Sequence, residues 1–576
     1  MSEATEQAGG GRPRRSQDED AALWDRFRGK PGEDVKATAI HRLKIAGSAP
    51  DGFGLHMRQI VPADELRGEM LLRGIWRIGM DRLVLTDGAA PWSQTLPGRH
   101  FADRLHRFDW LSDLFTQGEA GGDRARLLVD DWIENFGRFD GFSWRLGCAG
   151  DRAWNWMRCG AALFEHGDEA ACELRLETLS RQVRHVLSMV DSEVEPLGTW
   201  RGSVLGVAHA ICLGRGKGLE DAEMRLETAC TAHFFPDGGH VSRSPARAAR
   251  CLADLITLED LLTRSDREIP DFLSTWITRI GGMVAFFKAS DGALAPFNDG
   301  DERRPEAVDA VLQHLPTPPR RFSVAPKSGF HKLEKQGTWL VLDAGQAPEP
   351  PFGDRAHGGA LGFELHDGGA RIVTSCGSSP EVDVDFQAAV RRTSAHSTLI
   401  IEDEDSSRFV TNEETRLLYP EGPDGISAKR LEEAAEIWLD AQHGGYKHLY
   451  GLLHRRRLFM SGDGARLTGE DSLARPVSAG EADDDNMLSY AIRFHLHPTI
   501  TAMMSGDAII LNSELGVKWR FKTSHARARL EPTIYLGRGI VERSEQIVLS
   551  GKASPDSDGS APPNCIRWAF LKANNT

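Results

Sequence analysis

The segment LPTPPRR at residues 315–321 divides the chain into two parts with different hydrophobic periods. Its three prolines cannot continue a helix or pair in the interior of a sheet, so the segment is typical of a linker between domains. Before it, apolar residues recur at helical spacing; after it, apolar and polar residues alternate. The sequence therefore predicts a helical domain followed by a β-domain.

The stretch from about residue 30 to residue 315 is predicted to be mostly helical. Two runs carry the helical period most clearly: Leu176, Leu179, Val183, Val186, Leu187 and Val190, and then Leu252, Leu255, Ile256, Leu258, Leu261 and Leu262. Loops with glycine or proline interrupt such runs at 195–198, 236–239 and 297–300. Many helices joined by such loops suggest an (α/α) barrel or toroid.

Short strands and glycine-rich turns follow the linker. Trp339–Leu342 is one predicted strand, and Leu361–His366 pairs through Asp367-Gly368-Gly369 with Arg371–Val373 in a hairpin. Ile492–His497 alternates in the same way until Pro498. Lys429–Leu439 is helical by composition and stays ambiguous. The predicted domains are a disordered tail at 1–30, a helical toroid at 31–315, a linker at 316–321 and an antiparallel β-sandwich at 322–576.

Composition restricts the partners. The 576 residues carry a formal net charge of −15, which argues against nucleic acid as a partner, although a locally basic cleft can still bind an anionic polymer. The first twenty residues contain no apolar core of a signal peptide, and no window of about 18 apolar residues exists. We therefore expect a cytoplasmic location, with the periplasm as the alternative, and no membrane span.

Several phrases carry a family resemblance. They are LVDDWI at 128–133, PDGGHVSR at 236–243, RAHGGALGFEL at 355–365, RRTSAHSTLII at 391–401, HGGYKHLYGLLHRRRLF at 443–459, RFHLHP at 493–498 and EQIVLSG at 545–551. Taken in this order, they resemble the heparinase II/III-like polysaccharide lyases of bacteria. The resemblance implies an (α/α) toroid joined to antiparallel sheets, and an enzyme that cleaves uronic-acid-containing polysaccharides or oligosaccharides by β-elimination.

Two other functions remain open. One is a catalytically inactive, glycan-binding relative, and the other is a glycoside hydrolase on the same scaffold, which needs two carboxylates across a cleft. The products distinguish them, because elimination leaves a conjugated, ultraviolet-absorbing uronate and hydrolysis does not. The sequence does not identify the polysaccharide. It also leaves open whether cleavage is internal or from an end of the polymer, and what the oligomeric state is.

The sequence departs from the family at three places. Lyases of this family carry a tyrosine shortly after the Asp-Gly loop of the helical domain, where this chain has Arg247. An Asn or His that holds the substrate carboxylate in those lyases is replaced by Arg201. Some members bind zinc through His, Asp and His; this chain keeps His357 and His396 but has Thr374 at the Asp position. No cofactor is therefore required, and we expect any zinc to be weakly bound or absent.

A uronate lyase must remove the C5 proton, disperse charge at the carboxylate and protonate the leaving O4. Histidine suits the base, and histidine or tyrosine suits the acid. We name His240, His357 and Tyr446 as catalytic candidates. Each also has a purely structural alternative. His240 would be a loop histidine that hydrogen-bonds the backbone, His357 a buried histidine of the sandwich, and Tyr446 a tyrosine at a corner of the sandwich.

Arginine suits carboxylate binding because its planar guanidinium can hold both oxygens. The candidates for substrate binding are Arg201, Arg243, Arg247, Arg392 and His396, and His357 with His396 would hold a metal if one is bound. We predict that His240 and His357 face one another across a cleft, with Arg201 and Arg243 nearby. His495 and His497 share one strand face and are assigned to structure, and the run Arg455–Arg457 is assigned to solvated charge.

Overall fold

The computed structural model describes residues 41–573 except 42, 44, 87, 194, 380–381, 383, 413–416, 477–485 and 525–526. The chain forms two compact units. The first contains described residues up to Gly52 together with Glu65–Trp76 and Leu83–Glu193, and the second contains Phe53–Asp64, Arg77–Arg82 and Val194–Thr576, as far as these are described. The predicted tail at 1–30 lies outside the described residues, and the predicted domain boundary at 316–321 stays a prediction.

Most of the helices lie in the N-terminal part, as predicted. In the first unit they are α1 Glu65–Leu72, α2 Arg99–Arg107, α3 Leu111–Phe115, α4 Gly118–Phe136, α5 Leu146–Phe164 and α6 Glu169–Met189. In the second unit they are α7 Pro196–Cys212, α8 Leu219–His233, α9 Pro245–Arg264, α10 Asp271–Phe287 and α11 Pro305–Gln313. A short hairpin, β1 Ile75–Ile78 with β2 Asp81–Val84, also lies in this part.

Local chemistry explains where these helices begin. Asp168 caps α6, since its carboxylate accepts a hydrogen bond from the Ala171 amide at 3.1 Å. Ser244 caps α9 through the Arg247 amide at 3.2 Å, and Pro245 occupies the first turn, where no amide donor is needed. The predicted run from Leu252 to Leu262 forms the buried side of α9, and Leu176, Leu179, Val183 and Val186 of the other run are buried in α6, whereas Leu187 is partly exposed and Val190 lies just after the helix.

The second unit continues into antiparallel sheets. Their strands are β3 Val324–Ala325, β4 Phe330–Lys335, β5 Thr338–Asp343, β6 Phe363–Asp367, β7 Ala370–Thr374, β8 Leu399–Ile401, β9 Arg408–Thr411, β10 Leu418–Glu421, β11 Ser427–Glu433, β12 Glu436–His443, β13 Leu453–Met460, β14 Arg466–Ala474, β15 Leu488–Leu496, β16 Ile500–Ser505, β17 Ala508–Ser513, β18 Lys518–Thr523, β19 Arg527–Tyr535, β20 Glu542–Ala553 and β21 Cys565–Lys572. Two short helices, α12 Val384–Ala389 and α13 Lys447–Tyr450, lie among them.

Two large sheets share one core. The eight-stranded sheet has the order β11-β12-β13-β14-β21-β18-β17-β16, and the nine-stranded sheet has the order β19-β20-β15-β7-β6-β5-β4-β3, with β8 paired to β15. Residues of both sheets form one buried cluster, which includes Leu340, Leu365, Phe494, Trp519 and Trp568. The predicted strand at 339–342 and the hairpin at 361–373 are confirmed as β5, β6 and β7.

The structure differs from the sequence-based interpretation at two places in β11–β13. Lys429–Leu439 is not helical: it belongs to β11 and β12, and the turn between them places Ala434 and Ala435 at positive φ. The assignment of Arg455–Arg457 to solvated charge is wrong for Arg456. Strand alternation turns that one side chain into the core, where it is fully buried and pairs with Asp471 through contacts of 2.8 and 3.1 Å.

No helix among the described residues has the length and apolar character needed to cross a membrane.

Candidate functional site

The loop from Phe297 to Gly300 lies between α10 and α11 and contacts both the segment before α9 and the loop that carries His357. Asn298 adopts a left-handed conformation, with φ of 55°, which asparagine tolerates better than most residues. Its side-chain amide donates to the Arg243 carbonyl at 2.8 Å, and its side-chain oxygen accepts from the His357 amide at 3.1 Å. One buried side chain therefore fixes the position of His357 relative to the start of α9.

His357 and His396 form a hydrogen-bonded pair. His357 Nδ1 lies 3.0 Å from His396 Nε2, and His396 Nδ1 lies 2.9 Å from the Arg392 carbonyl. A carbonyl only accepts, so His396 Nδ1 carries a proton. In the neutral ring His396 Nε2 must then accept, and His357 Nδ1 must donate. His357 Nε2 is left with a lone pair and no hydrogen-bond partner among the described residues, and it reaches solvent.

Both rings are held in the neutral form. Burial, followed by the neighbouring His396 and Arg391, lowers the pKa of His357 well below its ordinary value. Burial lowers the pKa of His396 to about 4, although the Arg392 carbonyl acts in the opposite direction. At neutral pH the pair is therefore an uncharged chain of donors that ends in an unprotonated nitrogen.

A small cavity adjoins this pair. It is lined by Pro296, Phe297, Asn298, Asp343, His357, Gly359, Gly362, Phe363, Glu364, Ser375, His396 and Ser397. Its volume of about 10 Å³ leaves room for about one water molecule. Burial raises the pKa of Glu364 to about 8, so this carboxyl is largely protonated at neutral pH although Thr374 and Ser375 donate to it.

His240 lies at the start of the loop that leads into α9. Its Nδ1 accepts from the Ser242 amide at 3.1 Å, so the proton of the neutral ring is on Nε2. His240 Nε2 has no partner among the described residues and reaches solvent. Burial, followed by His233 and Arg247, lowers the pKa of His240 well below its ordinary value. His240 therefore offers a neutral N–H donor at neutral pH.

Asp299 links the two histidines electrostatically. Its negative charge acts to raise the pKa of both His240 and His357. Burial raises the pKa of Asp299 itself, but Arg247 and then Arg250 outweigh burial and hold it below its ordinary value. Arg247 binds Asp299 at 2.7 Å and Asp354 at 3.4 Å. The imidazoles of His240 and His357 are not in ring contact, so the predicted arrangement across a cleft stays a prediction.

The arginines chosen from the sequence all have carboxylate partners. Arg201 pairs with Asp254 at 2.9 Å, and Arg392 pairs with Asp405 at 2.5 Å. Arg243 pairs with Asp343 and donates to the Ser328 carbonyl at 2.9 Å, so it connects the loop before α9 to the strands. A guanidinium that is already paired must break that contact before it can bind a substrate carboxylate.

Tyr446 lies inside the sandwich, in the buried cluster that both sheets share. It is fully buried, its hydroxyl donates to the Leu399 carbonyl at 3.0 Å, and burial raises its pKa well above the ordinary value. These contacts describe a structural tyrosine. His495 and His497 are buried as well, with His495 Nε2 at 3.0 Å from the Ser394 carbonyl and His497 Nε2 at 3.2 Å from Glu302.

The described residues do not fit a zinc site at His357 and His396. Each ring directs one nitrogen at the other, and no group of three or more His, Cys, Asp or Glu side chains is placed to hold a metal ion among the residues with described positions. Thr374 donates to Glu364 at 3.0 Å and so is bound to a carboxyl group of the chain itself.

Four residues near the site were missed by sequence reasoning. Asn298 and Asp299 were read only as a turn, and Glu364 only as part of a strand. Arg250 is exposed, makes no ion pair with a described carboxylate, and acts electrostatically on both His240 and Asp299. Its position one turn after Arg247 on α9 was the available signal.

Comparisons with known proteins agree with this architecture. Residues 317–569 match the family model described as "Heparinase II/III-like, C-terminal". A crystal structure of heparinase III has a TM-score of 0.64 and 14% identity, with 97% of this chain and 91% of that chain covered. A crystal structure of a mutant heparan sulfate lyase from Pedobacter heparinus has a TM-score of 0.56 and 14% identity, covering 94% and 88%. These likenesses confirm the predicted fold class, a helical toroid followed by an antiparallel sandwich.

A curated relative covers nearly the whole chain. It is the "FtsZ-localized protein C" of Caulobacter vibrioides, which is 32% identical over 566 residues, or 96% of each protein. The match in the sheets, the match over the full length and the shared fold together show that this chain belongs to the heparinase II/III-like family.

Proposed function

We propose that this protein is a polysaccharide lyase that cleaves a uronic-acid-containing polysaccharide or oligosaccharide by β-elimination. The observation that carries the proposal is the bare, solvent-reaching Nε2 of His357 at the end of the His396–Arg392 hydrogen-bond chain. Such a nitrogen is a base with a fixed tautomer and a fixed direction.

In the proposed reaction His357 Nε2 takes the C5 proton of the uronate. The electrons of the C5–H bond form the C4–C5 double bond, the C4–O4 bond breaks, and the imidazolium returns its proton to O4. The Nδ1–H bond to His396 supports the transient positive charge on His357. The bound uronate carboxylate would itself raise the pKa of His357 from its lowered value.

His240 and Arg250 are proposed as carboxylate contacts. A neutral imidazole is a poor acid, so the Nε2–H of His240 is better suited to hydrogen-bond the substrate carboxylate than to protonate O4. Arg250 supplies the positive charge that the paired arginines do not. His240 lies after a short loop from α8 and Arg250 on α9, so both come from the helical part of the second unit.

A panel of uronate polysaccharides, followed by ultraviolet absorbance of the unsaturated product, tests the proposal. His357→Ala should lower kcat by roughly 10²–10⁴ because it removes the base. Arg250→Ala should mainly raise KM. His448→Ala is the matched control, because the side chain of His448 is 87% exposed and lies outside the site. Reducing ends without absorbance would identify a hydrolase, and no product from any polysaccharide would refute lyase activity.

A second candidate function follows from the curated relative. That relative is named for localisation with FtsZ, and it matches this chain over 96% of both lengths. We propose as the alternative a non-catalytic, glycan-binding protein that is recruited to FtsZ. Co-sedimentation with FtsZ polymers, together with absence of product in the uronate panel, would favour it. We also propose a cytoplasmic location, or otherwise a periplasmic one, which cell fractionation tests.

A further inference from the structure

The eight-stranded sheet presents one side to the core and the other to solvent. On β12, Ile437, Leu439 and Ala441 are buried while Trp438 is exposed, as strand alternation requires. We call the solvent side the outer face. Trp438 lies there with its cross-strand neighbours Leu431 and Phe459. The charged members of the outer face are Lys429, Glu433, Glu436, Asp440, Arg455, Arg457, Arg466, Glu470, Lys518, Arg520, Lys522 and Arg567.

The outer face is basic in an acidic protein. Among its described residues eight side chains are basic and four are acidic, whereas the whole chain has a formal net charge of −15. The local potential of a surface decides which partners approach it. The outer face therefore attracts anions although the chain as a whole carries a negative net charge.

Half of these basic side chains are available to a ligand. Arg455 pairs with Asp440, Arg457 and Arg567 both pair with Glu470, and Lys522 pairs with Asp507. No ion pair with a described carboxylate forms at the other four, which are Lys429, Arg466, Lys518 and Arg520. A free guanidinium binds a carboxylate or sulfate through two parallel hydrogen bonds.

An aromatic platform lies beside these cations. Trp438 and Phe459 are direct partners on β12 and β13, with ring centroids 5.2 Å apart, and the Arg466 guanidinium carbon lies 4.9 Å from the centre of the Phe459 ring. Trp438 is 37% exposed, and its other cross-strand partner, Leu431, is 58% exposed. The apolar C–H side of a sugar ring can pack on such a surface and bury area there.

The spacing of the cations suits a repeating anion. Arg466 on β14 and Arg520 on β18 both lie opposite Leu571 on β21, so two strand spacings, roughly 10 Å, separate them. The Arg466 guanidinium also lies over Phe459 on β13, on the side of β14 away from Arg520, so the two cations suit a polymer with regularly placed carboxylates or sulfates better than a single small anion. Such a polymer can contact both guanidinium groups while a sugar ring packs on Trp438.

We propose that the outer face is a second, non-catalytic binding surface for an acidic polysaccharide. It is distinct from the cavity at His357, whose lining comes from the nine-stranded sheet, its loops and the 296–298 loop. The inference rests on the proposed function for its class of ligand. Binding there holds the polymer on the enzyme between cleavage events and raises the local concentration of cleavable bonds.

The test measures binding of alginate, polygalacturonate, hyaluronan and heparan sulfate, with neutral dextran as the reference, in a His357→Ala background that does not degrade them. Trp438→Ala should weaken binding about 3- to 10-fold. The double variant Arg466→Ser/Arg520→Ser should weaken it about 10-fold or more at low salt and less at high salt. Arg408→Ser/Arg529→Ser removes the same charge from exposed positions outside the outer face, and should change binding little.

Three results would overturn the proposal. They are no binding to any of the four polymers, equal weakening by the control pair, and Trp438-dependent binding to vesicles of phosphatidylglycerol but to none of the polymers. The lyase assay separates this inference from the proposed function. Outer-face variants should cleave short oligosaccharides at the normal rate, and Trp438-dependent binding without any unsaturated product would refute lyase activity while the binding surface stands.

Discussion

Gly359 decides whether the two imidazoles of the site can meet. A Cβ on Gly359 would lie 2.4 Å from Cδ2 of His396, closer than real Cβ atoms approach any heavy atom, whereas a Cβ on the adjacent Gly358 would make no contact nearer than 3.4 Å. Neither glycine has a positive φ, so the difference between them is one of space alone.

Gly359→Ala should therefore displace the His396 ring, break its hydrogen bond to His357 and lower kcat by at least about tenfold, because a misplaced base loses its alignment. Gly358→Ala is the matched control and should keep most of the activity. Rates and melting temperatures of both variants check this. Equal activity of the two proteins would mean that the histidine pair is not needed in its observed geometry.

At the scale of elements, β13 supports the segments that carry the site. Arg456 donates to the Leu361 carbonyl at 2.8 Å and to the Ser397 carbonyl at 2.7 Å, next to the loop after His357 and directly after His396. Its charge is balanced by Asp471, which also accepts from His454 and Trp568, both at 2.8 Å. The core of the sandwich thereby fixes both loops.

Arg456→Ala should cost about 3–5 kcal/mol of unfolding free energy, since it leaves the Asp471 carboxylate buried without its guanidinium. The neighbouring Arg457 is 47% exposed and pairs with Glu470, so Arg457→Ala should cost less than about 1 kcal/mol. Urea denaturation of both variants measures the contrast. A similar, small loss for both would show that the Asp471 network contributes little to stability.

Sequence patterns predicted the elements better than the partners of individual side chains. Periodicity located α6, α9 and the β5–β7 hairpin because burial of one face imposes a period on the residues themselves. It failed for Lys429–Leu439, where charged residues favour helix by composition but cross-strand pairing decides the structure.

The site was predictable only in part for the same physical reason. His357 and His396 were both selected, but their mutual hydrogen bond spans 39 positions and depends on how two loops pack. The burial of Arg456 was not predicted because the sequence of β13 alone does not show which face of the strand the rest of the sandwich covers. The contacts of Asn298 and the buried state of Glu364 depend likewise on residues distant in the chain.

For the whole molecule, buried histidines set the response to acid. Burial lowers the pKa to about 3 or about 4 in His106, His185, His233, His331, His396 and His495. Below the ordinary value of 6.5 the unfolded chain binds protons that the folded chain does not, so stability is lost as the pH falls from about 6.5 towards 4. Glu364 acts in the opposite sense: its pKa of about 8 makes its contribution disappear as the pH rises through 8.

We therefore expect the free energy of unfolding to be largest near neutral pH. On the acid side it should fall by up to about 1.4 kcal/mol per pH unit for each titrating histidine. Melting temperatures between pH 4.5 and 8 check this. Glu364→Gln should flatten the alkaline side of the profile and steepen the acid side above about pH 4.5, because folded Glu364 keeps its proton up to about pH 8 whereas the unfolded chain loses it near 4.5. Stability that stays constant down to pH 4.5 would contradict the buried, neutral state of these histidines.

The alternation of Arg455, Arg456 and Arg457 on β13 also has a consequence for how this chain can change during evolution. One strand serves the outer face with its odd positions and the loops of the site with an even one. Insertion or deletion of a single residue would exchange the two faces. Arg456, which holds the loops through the Leu361 and Ser397 carbonyls, would then be exposed, and charged side chains without a partner would be buried. We expect length variation among close homologues to be excluded from β13 and confined to the turns on either side of it, while substitutions of Arg455 and Arg457 are tolerated.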